Sequence, residues 1–192
     1  MTSCEVYESA AERLVVMQLR SPLIRGRKSI FLNHLVDFIV EKKFNQTLIL
    51  SSSHAHERID AQLRGDQFRY AASSAFVSNA PLQKTLSILP WTRLETRENR
   101  DERGKDVNPY VPGGGVTKPL LIRCERDNIP VAALLVFCSE GDNVPEAFLL
   151  ANRCNDLMQI LPSEKVKTNW RVPSSWSALF GNPAAENELV YG

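Results

Sequence analysis

No two of the four cysteines, Cys4, Cys124, Cys138 and Cys154, stand close enough to form a CxxC pair. Their spacing suggests neither a zinc ribbon nor a disulfide framework and reads as free thiols in a reducing compartment. No apolar run approaches the ~20 residues that a membrane span needs. The N-terminus, MTSCEVYESAAER, lacks a basic segment followed by an apolar one, so it does not read as a secretory signal. An excess of one charge is missing too: 23 basic residues face 22 acidic ones, for a net charge of +1. That balance gives no bulk attraction to nucleic acid, an anionic membrane or an acidic substrate, and neither nucleic acid nor membrane is expected as a partner. Internal repeats are absent.

What is present is ordinary for a soluble domain: 192 residues, 43% hydrophobic and 23% charged, long enough for one sizeable core. Leu14 to Leu19 is apolar and partly β-branched, which predicts a buried strand. Ser29 is expected to cap a helix carrying Phe31, Leu35, Phe38, Ile39 and Lys42 at helical spacing, with Lys42 and Lys43 in its last turn. Thr47 to Leu50 reads as a second strand, and strand, helix and strand with short joints predict a parallel βαβ unit. Asn45-Gln46-Thr47 matches a glycosylation sequon, at a strand start. Between Arg93 and Asp106, ten of fourteen residues are charged, so 93–108 is expected to be a solvated, mobile loop. Val116, Leu120, Leu121 and Cys124 fit a short helix that tolerates Pro119 in its first turn. Val131 to Cys138, VAALLVFC, is apolar on both faces, as a central strand should be. A helix follows from near Pro145, capped by Asp142 or Asn143, with Ala147, Leu150, Ala151, Cys154, Leu157, Met158 and Leu161 at offsets of three and four. Trp170, Trp176, Leu179 and Phe180 are expected to pack back on the domain. The fold class is α/β: a mainly parallel sheet flanked by helices, one domain over residues 1–181, and a flexible tail over 182–192.

Three stretches resemble sites. In "LSSSHAHERID", Ser51 to Ser53, His54, His56 and Asp60 suggest a hydrolase. Yet no glycine flanks the serines as a nucleophile elbow requires, and the remaining histidine, His34, lies on a helix near its polar face. His54-Ala55-His56 also looks like a metal pair, but a zinc site usually takes a third protein ligand, and spacing places none. No metal and no catalytic residue is assigned. Gly113-Gly114-Gly115-Val116-Thr117-Lys118 resembles a phosphate loop, although neither G-x-x-x-x-G-K-[ST] nor G-x-G-x-x-G occurs. With Asp142 it could line a small-molecule or phosphate site at the strand carboxyl ends, the alternative to a binding protein.

Met17-Gln18-Leu19-Arg20-Ser21, "LSSSHAHERIDAQLRGDQFRY", "VPGGGVTK", "SEGDNVPEA" and "WRVPSSWSALFG", in this order and spacing, resemble the proteasome assembly chaperone 2 family over roughly residues 6 to 181. The resemblance implies a non-enzymatic chaperone with a Rossmann-like core and no cofactor. It also implies a heterodimer with proteasome assembly chaperone 1 that binds 20S α-type subunits, supports α-ring formation, and resides in cytoplasm and nucleus. Ser52, His54, Arg58, Asp60, Arg64, Gly114 and Asp142 would then have a structural or interface role. The family carries a further N-terminal strand and helix that precede this sequence's first residues; without that strand a sheet edge is expected to be exposed.

The last residues, Val190-Tyr191-Gly192, form a hydrophobic-tyrosine-any ending. By the resemblance, such a tail docks between α subunits, its carboxylate meeting a lysine and Tyr191 packing at the pocket mouth. Burying a tyrosine contributes ~2 kcal/mol. A charge-assisted hydrogen bond adds ~1.5–3 kcal/mol, and ordering each residue costs ~1–2 kcal/mol. One tail should therefore bind weakly and need a second contact at high effective concentration, which favours a dimer.

Overall fold

The computed structural model describes residues 3–101, 104–162, 170–174 and 176, with backbone alone for 80–82, 97–101 and 104–108. A three-stranded sheet lies at its centre: β3 (Thr47–His54), β4 (Phe68–Ala72) and β7 (Val131–Cys138), in the order β3-β7-β4. β7 pairs parallel with β3, Thr47 opposite Val131 and His54 opposite Cys138, and antiparallel with β4, Phe68 opposite Val136. The α/β class and the single domain stand as expected; the sheet is mixed, with one parallel and one antiparallel pair.

β7 is buried from Val131 to Phe137, and its alternation divides the core. Val131, Ala133 and Leu135 face one layer, made by Leu32, Val36 and Ile39 of α1 (Lys28–Glu41) and Leu120, Leu121 and Cys124 of α4 (Thr117–Arg126). Ala132, Leu134 and Val136 face the other, with Phe76 of α2 (Ser74–Val77), Leu86 of α3 (Ala80–Ile88) and Leu157 of α5 (Val144–Met158). Burying any one such Leu, Ile or Phe is worth roughly 1.5–3 kcal/mol, so β7 anchors both layers.

Several expectations need correction. The apolar strand at Leu14 does not enter a βαβ unit. As β2 (Leu14–Leu19) it pairs antiparallel with β1 (Cys4–Ser9) in a separate ribbon, because a short turn brings a local partner alongside. The helix after it starts at Lys28, so Ser29 lies within it and does not cap it; Leu32, Val36 and Ile39 are its buried residues, one position on from the expected stripe, with Leu35 packed at the margin. The helix ends at Glu41, leaving Lys42 at its C-cap. The charged stretch expected as a loop over 93–108 forms an antiparallel hairpin of β5 (Thr96–Asp101) and β6 (Gly104–Pro109), since backbone pairing needs no apolar side chains. Its residues 102 and 103 lie outside the described set, as do Leu179, Phe180 and the tail 182–192. α4 and α5 fall where the sequence places them, although Leu161 lies beyond α5, which ends at Met158 with Gln159 left-handed.

The outer edge of β4 is covered: the Tyr70 amide donates to the Thr92 carbonyl at 3.1 Å and the Leu94 amide to the Tyr70 carbonyl at 2.7 Å. The outer edge of β3 has no strand beside it among the described residues. Among the described residues no helix is long and apolar enough to cross a membrane.

Candidate functional site

Because β3 and β7 run parallel, their carboxyl ends lie side by side, the position where open α/β sheets commonly hold ligands. The serine run occupies the end of β3, which continues to His54. Ser53 is buried, and its hydroxyl donates to the Pro112 carbonyl at 3.0 Å; the His54 amide donates to the same carbonyl at 3.0 Å. Thr117 Oγ1 donates to Ser51 Oγ at 2.7 Å, tying the first turn of α4 to the strand. Ser52 is exposed and hydrogen-bonds the Cys138 thiol, which burial nevertheless pushes up. These hydroxyls join strand to loop. Among the described residues none of the three serines has an imidazole as a partner, so the triad geometry is not assembled.

The glycine turn is packed against this strand end. Gly113 has φ +74°, and a Cβ there would lie 2.2 Å from the His54 ring. At Gly114 a Cβ would lie 2.3 Å from Val111 Cγ1. The Gly114 amide donates to the Val111 carbonyl at 3.3 Å, so a donor that a phosphate loop would offer to ligand is used within the turn. Asp142 Oδ1 accepts the Val144 amide at 2.9 Å from the position before the N-cap of α5, which is Asn143; the Asn143 side chain makes no cap bond and donates instead to the Ser139 and Gly141 carbonyls. The residues proposed as lining of a small-molecule site therefore serve backbone turns.

After β3 the chain makes a 3₁₀ turn over Ala55–Glu57 and a second over Asp60–Gln62. The first turn brings together three side chains. His54 Nδ1 lies 2.8 Å from Glu57 Oε1, His56 Nε2 lies 3.8 Å from the same oxygen, and the two imidazoles stack at 5.1 Å between centroids. Sequence reasoning passed over Glu57, although residues three apart eclipse on a 3₁₀ turn. Arg58 donates from Nε to the Ala55 carbonyl at 3.0 Å, and its guanidinium lies over the Phe137 ring. Asp60 and Arg64 are exposed, and each gives its carbonyl to the local fold, to the Leu63 amide and to Arg69 respectively.

Arg69 is the group the sequence did not single out. It lies on β4 with 1% of its side chain exposed. Its Nε donates to Glu95 Oε1 at 3.0 Å and Oε2 at 3.3 Å, and its NH groups donate to the carbonyls of Asp66, Phe68 and Arg64. Gln62 is buried; its Nε2 donates to Glu95 Oε2 at 2.9 Å, and its Oε1 accepts the Ile59 amide. Burial raises the Glu95 carboxyl, but the hydrogen bonds from Gln62, its own backbone and Arg69 outweigh it and hold the group below its ordinary value. This network fastens the 55–70 segment to β4, so Arg58, Asp60 and Arg64 are presented on a fixed surface. Cys124 is fully buried, and burial, assisted by Asp127, pushes its thiol up to about 11. Cys154 is raised by burial as well. Neither environment activates a thiolate. Trp170 packs back as expected, its Nε1 donating to Asn152 Oδ1 at 2.7 Å. Val190, Tyr191 and Gly192 lie outside the described residues.

No family model matches the chain. Among curated proteins it is 37% identical over 183 residues to "Proteasome assembly chaperone 2" of Danio rerio, a match covering 94% of this chain and 70% of that protein. The Homo sapiens protein of the same name is 34% identical over 186 residues, covering 94% and 70%. Among solved structures, a protein of unknown function from Thermoplasma acidophilum superposes with a TM-score of 0.59 at 14% identity, covering 88% of this chain and 58% of that one. Pyrococcus furiosus PbaA in its monoclinic form, described as an archaeal homolog of proteasome-assembly chaperone, gives 0.51 at 15% identity, covering 98% and 65%. The chain thus spans less than two thirds of either solved chain, and at these identities the likeness is one of fold. The curated relatives, matched along nearly the whole length of this chain, decide the family: the chain belongs to the proteasome assembly chaperone 2 family.

Proposed function

We propose that the protein is a proteasome assembly chaperone, working as a heterodimer with proteasome assembly chaperone 1, binding 20S α-type subunits and supporting α-ring formation in cytoplasm and nucleus. The observation that carries this reading is the 37% identity to a protein of that name along 94% of the chain. The strand ends support it from the opposite side. Their serines, glycines and Asp142 are engaged in holding turns, and the 55–70 segment is a braced surface suited to contact. On this reading the chain works by association, without turnover, and Val190-Tyr191-Gly192 is a second attachment to the α ring.

Co-expression with proteasome assembly chaperone 1 followed by gel filtration tests the pairing: a co-eluting complex near 1:1 is expected, and two separate peaks would remove the heterodimer. Deleting Tyr191 and Gly192 should lower α-subunit co-purification and leave the melting temperature unchanged. Undiminished recovery would take the tail out of the mechanism.

A further inference from the structure

We propose that His54, His56 and Glu57 form a binding site for a divalent transition cation of the zinc type. Three different side chains converge: one imidazole nitrogen each from His54 and His56 and a Glu57 carboxylate oxygen all lie within 4.8 Å of one another. Tetrahedral bonds of about 2.0–2.1 Å place ligand atoms about 3.3 Å apart. The observed separations of 2.8 and 3.8 Å to Glu57 Oε1 fall on either side of that value, and turning the exposed His56 ring out of its stack on His54, so that both nitrogen lone pairs point to one centre, closes the site.

The backbone prepares this convergence. β3 ends at His54, and the 3₁₀ turn that follows puts Glu57 over His54 while turning His56 back towards both. The Cδ2–Nε2 edge of the His54 ring rests against Gly113, where no Cβ intrudes, and Nδ1 is thereby turned to Glu57. Two imidazole nitrogens and one carboxylate select a borderline metal over Ca²⁺ or Mg²⁺, which take oxygen ligands. All three side chains are exposed, so a fourth position is open to water and the ion has free entry. The bound ion would clip the turn to the end of β3, beside Pro112 and Gly113. The site stands independently of the chaperone reading.

The test is titration of the whole chain, with its thiols reduced, with Co²⁺ followed by displacement with Zn²⁺. One equivalent of Co²⁺ should give visible d–d bands without a thiolate charge-transfer band, and Zn²⁺ should abolish them. His56→Ala and Glu57→Gln should each weaken binding by more than about tenfold, since even outer partners of a metal matter on that scale. His56 is 74% exposed, so its replacement leaves the fold intact, which far-ultraviolet circular dichroism checks. His34→Ala should bind as the parent does. Binding unchanged in both site variants, a thiolate spectrum, or no binding up to about 1 mM Zn²⁺ would overturn the proposal.

Discussion

Replacing Arg69 by methionine keeps most of the volume of the side chain and removes its charge and donors. In the parent, those donors meet both oxygens of Glu95 and the carbonyls of Asp66, Phe68 and Arg64, with 1% of the Arg69 side chain exposed. Removing one member of a buried ion pair costs about 3–5 kcal/mol, because the partner charge stays behind without compensation. Glu95 keeps 19% exposure and its bond from Gln62, which puts the expectation at the lower end, near 3 kcal/mol. For a domain of this size each kcal/mol shifts the midpoint by about 2–4 °C, so thermal melting followed by circular dichroism should fall by roughly 6–12 °C. Replacing both members, Arg69→Met with Glu95→Leu, should recover a large part of the loss, since a well-packed apolar pair often equals a buried ion pair. The pH dependence has a definite sign. The Glu95 carboxyl is lowered in the folded protein, so its contribution is present above the unfolded value of about 4.3 and fades as pH falls through the folded one. The gap between parent and Arg69→Met should therefore narrow below about pH 4. A melting point for Arg69→Met within roughly 2 °C of the parent, less than one kcal/mol on this scale, would refute the network's role.

Gly113→Ala should destabilise by about 1–3 kcal/mol from the left-handed backbone alone, with more from contact with the His54 ring, 2.2 Å from the new Cβ. Chemical denaturation measures the loss, and adding His54→Ala should return only the contact share. Cys124 should resist a thiol reagent at pH 8 until the chain is unfolded, because it is buried and its thiol is raised to about 11. Mass spectrometry of the labelled native chain reads this, and rapid labelling at Cys124 would contradict its burial.

β7 was legible because an unbroken apolar run of eight residues has only one comfortable place, the middle of a sheet covered on both sides. α4 and α5 were legible through spacing and through the Pro145 and Asp142 signals at a helix start. The phase of α1 was not, since Ile30, Phe31, Leu32, Leu35, Val36, Phe38, Ile39 and Val40 cover more than one stripe and only packing selects among them. Composition alone makes the Leu14 strand look like core, whereas its partner is the neighbouring Cys4–Ser9 segment. β4 escaped notice because an arginine at its second residue reads as exposed; the carboxylate that permits its burial stands 26 residues away. At the candidate site, the serines and glycines stand out in the sequence, but a pattern of residue types does not distinguish a hydroxyl that reacts from one that ties a loop. The carboxylate at Glu57 needed a 3₁₀ turn to reach His54, and no helical or strand period displays it.

The position of β7 has a consequence for synthesis on the ribosome. Neither β3 nor β4 pairs with the other; among the described strands each finds its ladder partner in residues 131–138, some sixty to eighty residues further on. Until that segment leaves the exit tunnel, two strands and the apolar sides of the helices around them wait uncovered, and long-range pairing of this kind is slow and prone to aggregation. A nascent chain halted before Val131 can close the β1–β2 ribbon and the β5–β6 hairpin but lacks the strand that joins β3 to β4, so the central sheet waits for residues 131–138 to emerge.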